Sequence, residues 1–79
     1  YDAALPLARE AVEIKREALG HDHANTAVVE MVLGEVLVGA GRFEEAAQVL
    51  TQAQTTYVEI NGSDNAIAER IASALAKAR

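Results

Sequence analysis

The chain has 79 residues, 51% hydrophobic and 24% charged, with seven Lys/Arg against twelve Asp/Glu for a net charge of −5, which suits one small domain rather than two. An acidic chain with no basic run lacks the charge that dominates phosphate binding, so no nucleic-acid partner is expected. The lack of Cys excludes disulfides and Cys-based metal sites or nucleophiles, and no apolar run approaches the roughly 20 residues of a bilayer span, so no membrane partner is expected either.

Alanine occurs 17 times, Pro once, and Gly only at positions 20, 34, 39, 41 and 62. Ala is the best helix former and Gly marks helix ends, so the composition predicts helices joined by short turns. The first helix is expected over residues 2–19. Tyr1, Ala4, Leu5, Ala8, Ala11, Val12, Ala18 and Leu19 fall at i, i+3, i+4 spacing, with Leu7 and Ile14 beside that stripe, the period of a helix with one buried face. Pro6 is tolerated only in a first turn, so the regular part is expected to start near Leu5. Arg9, Glu13 and Arg16 are expected on the wet side, and Gly20 is expected to stop the helix as a C-terminal cap.

Asp22 is the candidate N-cap of a second helix over residues 24–40. This helix is apolar nearly all round, with only Glu30 and Glu35 charged, and a helix of that kind is buried on several sides. Gly39-Ala40-Gly41-Arg42 makes a turn into a third helix, residues 43–60, striped by Phe43, Ala46, Ala47, Leu50, Ala53 and Tyr57. Asn61-Gly62-Ser63-Asp64 ends it and caps a fourth, residues 65–78, carrying Ile67, Ile71 and Leu75 at i, i+4 spacing.

Sliding the chain by 42 residues lays Ala4 on Ala46, Ala11 on Ala53, Gly20 on Gly62, Asp22 on Asp64, Ala24 on Ala66 and Leu33 on Leu75. The glycine stop and the following aspartate coincide, which marks a helix-turn-helix unit repeated just under twice. The central unit reads Leu33-Gly34, Leu37, Gly41, Phe43, Ala46, Leu50, Ala53. It resembles the tetratricopeptide repeat (TPR), with Leu37 and Leu50 standing where that family usually has aromatics. The 42-residue period and the linker Leu19-Gly20-His21-Asp22-His23-Ala24-Asn25-Thr26-Ala27 are similar to the kinesin-light-chain-like subgroup. The resemblance implies an all-α fold, two antiparallel helical hairpins forming a fragment of an αα-superhelix. Fewer than two repeats are present, and about three are normally needed for stability, so the chain is expected to be a piece of something longer.

None of the candidate chemistry in the sequence converges. His21 and His23 flank Asp22, but no third and fourth ligands stand at zinc spacing. Glu44 and Glu45 are neighbours on a helix, about 100° apart and poorly placed for paired acid/base work. Gly39-x-Gly41 has no preceding strand and no Gly-x-x-Gly continuation. No enzymatic activity, metal or cofactor is therefore expected. In TPR domains the first helix of each repeat lines a concave groove. Carried over position by position, the resemblance implies a partner-binding groove of Val28, Met31, Val32, Glu35 and Val38, with Arg70, Ser73, Ala74 and Lys77 on the matching fourth helix. The chaperone-binding carboxylate clamp has Lys and Asn at such positions, so this groove departs from it.

The function expected is a non-catalytic, cytoplasmic scaffold that binds a protein or peptide. An extended or helical ligand would lay apolar side chains on the valines and Met31, and Met31→Asp would abolish binding without loss of helicity. Two alternatives are self-association through the same arc, and a regulatory or sensor segment of a larger signalling enzyme such as a bacterial kinase or ATPase. A closed bundle that sealed Met31 under the fourth helix would count against the groove.

Overall fold

A computed structural model describes residues 3–79. They form four helices: α1 (Ala4–Leu19), α2 (Ala24–Gly39), α3 (Phe43–Asn61) and α4 (Ala66–Ala78), with no strand among the described residues. Tyr1 and Asp2, which the sequence assigns to the first helix and its stripe, lie outside the described residues. Pro6 falls in the first turn of α1, where its missing N–H has no intrahelical carbonyl to lose.

Two of the three interhelical linkers, α1–α2 and α3–α4, are built alike. Gly20 and Gly62 both have positive φ, +82° and +80°, a region that side-chain-bearing residues rarely adopt. The N–H of Gly20 donates to the Arg16 carbonyl at 2.9 Å and that of Gly62 to the Val58 carbonyl at 2.8 Å, satisfying carbonyls the helix would leave orphaned. The capping residue in each case lies one position beyond the expected aspartate. His23, not Asp22, precedes α2, and its Nδ1 accepts from the Asn25 N–H at 3.0 Å. Asn65, not Asp64, precedes α4, and its Oδ1 accepts from the Ala68 N–H at 2.9 Å. The Asn65 amide also donates to the Gly62 carbonyl at 3.0 Å. Thr26 closes the first linker: its hydroxyl, fully buried, donates to the Gly20 carbonyl at 2.8 Å.

α2 is the hub. It packs against the other three helices, α3 also packs on α4, and among the described residues the backbone of α1 comes close to that of α2 alone. The result is a slab of 31 × 28 × 18 Å, about two helix diameters deep, with α2 and α4 side by side in one layer and α1 and α3 in the other. One core cluster draws on all four helices, through Val12, Leu33, Leu37, Leu50 and Leu75. The other lies between α2, α3 and α4, around Met31, Tyr57 and Ile71. The closest approach is at Gly34, where a Cβ would overlap the Leu50 side chain. Here the absence of a side chain lets α2 and α3 come together and Leu50 fill the gap.

Arg16 is not on the wet side. It reaches from α1 to α2 and donates to Glu30 at 2.7 Å. Glu30 is wholly buried, while the Arg16 side chain keeps 31% of its exposure. The remaining Glu30 oxygen, Oε1, and the Arg16 Nε have no hydrogen-bond partner among the described residues. An ion in the interior requires a counter-ion, and the apolar flank of α2 provides none, so Arg16 is drawn inward.

Candidate functional site

The face shared by α2 and α4 holds the groove residues that the sequence reading selects, with one exception. At about 100° per residue, Val28, Val32 and Glu35 lie on the edge of α2 that turns from α4 toward solvent. Val32 is 41% exposed, and Val28, Glu35 and Val38 are half-buried. Val38 packs on the edge of the four-helix core cluster and offers less surface than Val32. On α4, Arg70, Ser73 and Lys77 are exposed and Ala74 is buried beneath them. Glu35, Arg70, Ser73, Ala74 and Lys77 together line a cleft of about 300 Å³ between the two helices.

Met31 does not belong to this surface. It is 1% exposed and packs with Ala27, Ala53, Tyr57, Ala68 and Ile71. The arc drawn on α2 from sequence extends too far toward α3, and Ala68 and Ile71 of α4 close over the side chain. Met31→Asp would therefore place a carboxylate in the core and test folding rather than binding. The bundle as a whole is not closed, because α4 does not pack on α1, and the Val32 edge stays open. The sequence reading leaves Val36 outside the groove. It is half-buried, packs like Val38 on the edge of the four-helix core cluster, and stands four residues from Val32, so it continues the Val28–Val32 row with less open surface than Val32. The i, i+4, i+8 valine spacing was the available signal.

The charges of the cleft are arranged unequally. Arg70 donates to both oxygens of Glu35, from Nε at 2.7 Å and Nη2 at 2.6 Å, a bidentate fork that spans the layer. The hydrogen bonds it donates to Glu35 raise the Arg70 pKa above its already high ordinary value, so the guanidinium stays charged. Lys77 forms no ion pair among the described residues. The cleft therefore has one committed cation and one available cation beside the Ser73 hydroxyl.

On the opposite face, Arg9 of α1 donates to both oxygens of Glu45 of α3, at 2.6 and 3.0 Å. The hydrogen bonds from Arg9 hold the Glu45 carboxyl below the ordinary glutamate range against the opposing effect of desolvation. Arg9 and Glu45 stand over a second cleft, of about 330 Å³, floored by Val12 and Leu33. Of the charged groups lining it, Arg9 and Glu45 are matched to each other and Arg16 to Glu30, whereas Glu13 forms no ion pair among the described residues. Among the described residues no three His, Asp or Glu side chains converge as a metal site would require, and none of the four helices is long and apolar enough to cross a membrane.

The layered helical hairpins, the Gly34–Leu50 approach and the small residues Ala46 and Ala53 at the helix contact are the features by which tetratricopeptide repeats pack. The tetratricopeptide repeat family model matches residues 1–59, three quarters of the chain. No curated protein and no solved structure matches it. The chain belongs to the tetratricopeptide repeat family, whose repeats are typically non-catalytic scaffolds for protein–protein interaction.

Proposed function

We propose that the chain is a non-catalytic scaffold that binds a peptide or helix of another protein on the α2/α4 face. The observation that carries this reading is the pairing, on one open face, of the valine row Val28, Val32 and Val36 with a polar cleft holding an uncommitted lysine. An apolar strip beside a few convergent polar groups suits recognition of an amphipathic segment. Apolar side chains of the ligand lie on Val32 and its neighbours, and a carboxylate of the ligand reaches Lys77 and Ser73. Arg70 contributes less, because Glu35 already occupies its fork. Within the family, the 42-residue kinesin-light-chain-like spacing is supported by the paired ends of the helices, Leu19 and Asn61, and their paired starts, Ala24 and Ala66.

The test is selection of peptides from a random library on the wild-type chain, followed by titration of the selected peptides against two surface variants. Val32→Asp should abolish binding. Lys77→Glu should weaken it and remove most of its salt dependence, with helicity by circular dichroism unchanged in both. Selected peptides that bind Val32→Asp as tightly as wild type would end this reading.

A further inference from the structure

Three charged side chains line the cleft between α2 and α4, and they are not equivalent. Glu35 comes from α2, Arg70 and Lys77 from α4, with Ser73 and Ala74 completing the wall. At about 100° per residue, Arg70, Ser73, Ala74 and Lys77 fall on one face of α4 and Glu69 at the edge of that face. Arg79 follows the end of the helix. The other acid of α2, Glu30, is wholly buried and paired with Arg16 of α1. Among the described residues, Glu35, Arg70 and Lys77 therefore set the sign of the cleft.

Geometry cancels two of the three. Both oxygens of Glu35 accept from Arg70, at 2.6 and 2.7 Å. The guanidinium is the outer partner: the Arg70 side chain is 54% exposed and that of Glu35 30%. A planar guanidinium meets both oxygens of a carboxylate at once, so an arriving ligand finds Glu35 already covered. What remains is Lys77, which has no ion-pair partner among the described residues. Two cations against one masked anion make the cleft a site for negative charge, in a chain whose net charge is −5. The acidity of the rest of the chain acts the other way, but at physiological ionic strength it is damped beyond about 8 Å. Contacts inside the cleft decide.

We infer that Arg70 determines the charge specificity of this groove: by covering Glu35, it makes the groove select acidic peptides over basic ones. The inference rests on the groove proposed above and adds the chemical class of its ligand. Arg70 is a positioning residue that acts through Glu35, while Lys77 meets the ligand carboxylate. Without Arg70 the same cleft presents an uncovered carboxylate beside Lys77. That arrangement has no net charge, repels an acid on one side and holds the amine of a basic ligand on the other.

The test is selection from one random peptide library, run in parallel on wild type, Arg70→Gln, and the double variant Glu35→Gln with Arg70→Gln. Wild type should return peptides enriched in Asp and Glu. Arg70→Gln should return peptides that have lost this enrichment and gained Lys and Arg. The double variant lacks both members of the fork but keeps Lys77, so it should return acidic peptides again. In titrations, peptides selected on wild type should bind Arg70→Gln up to about fivefold more weakly, the scale of an exposed ion pair, and should bind the double variant as tightly as wild type. Circular dichroism should be the same for all three. Peptides that need Val32 yet show no acidic enrichment, or the same charge preference on wild type and Arg70→Gln, would overturn this inference and leave the groove standing. A double variant as impaired as Arg70→Gln would also overturn it, because Arg70 would then meet the ligand directly rather than cover Glu35. Peptides indifferent to Val32→Asp would end the groove itself.

Discussion

At Gly34 a single hydrogen atom decides whether two helices can meet. Gly34→Ala would gain about 1 kcal/mol of helix propensity, but its new methyl overlaps the fully buried Leu50 side chain. Overpacking of this kind costs about 1–3 kcal/mol, so the variant should be less stable by urea denaturation despite its better helix former. The Arg16–Glu30 pair makes a second, sharper case. Removing Arg16 leaves a wholly buried carboxylate without its cation, a loss of about 3–5 kcal/mol for a buried pair. Arg16 keeps 31% of its side-chain exposure, so water softens the loss and Arg16→Ala should fall at about 3 kcal/mol. Replacing both residues by Met should cost much less, and equal losses for the single and double variants would refute the account. The Arg16–Glu30 pairing could not be read from sequence. Arg16 has Glu13 and Arg9 within its own helix as plausible company, and its actual partner is 14 residues away on the next one. Met31 fails for a related reason: a helical wheel gives the direction of a side chain but not which neighbouring helix stands there.

The helices themselves were legible. Apolar periodicity and the two glycine stops place four helices in an all-α fold, because these signals are local. The capping residues were misplaced by one position in both linkers. Asp22 and His23, or Asp64 and Asn65, are each competent to cap, and only the backbone shows where helical geometry begins. Contacts between elements were less accessible, and the Arg9–Glu45 bridge between α1 and α3 is the clearest example. Glu45 sits in the first turn of its helix, where negative charge already has a local use against the helix dipole. The bridge lowers the Glu45 pKa in the folded chain, so its contribution to stability is complete above the ordinary glutamate value and is lost as pH falls through the lowered one. Urea midpoints of wild type and Glu45→Gln should therefore differ near neutral pH, converge in acid, and approach each other in high salt. A difference that persists in strong acid would mean that the carboxylate is not its source.

At the scale of the molecule, unequal attachment of the helices predicts unequal stability. α2 packs against three neighbours and α3 and α4 against two each, whereas α1 rests on α2 and is joined to α3 only through the exposed Arg9–Glu45 bridge. Exposed ion pairs add little, so the stability of α1 depends on Ala8, Val12 and the Arg16–Glu30 contact. Repeat proteins obtain stability from nearest-neighbour interfaces, and a helix with one interface opens at lower free energy than one with three. Native-state hydrogen exchange should accordingly rank the amides of α1 as least protected and those around Leu33 and Leu37 in α2 as most protected, with α3 and α4 between. Conditions that release Arg9 from Glu45, low pH or high salt, should lower the protection of α1 further and leave α4 unchanged. The ranking follows from topology alone and does not depend on any ligand. Uniform protection across the four helices would mean that the chain opens as one unit, and that the single interface of α1 is as strong as the several that hold α2.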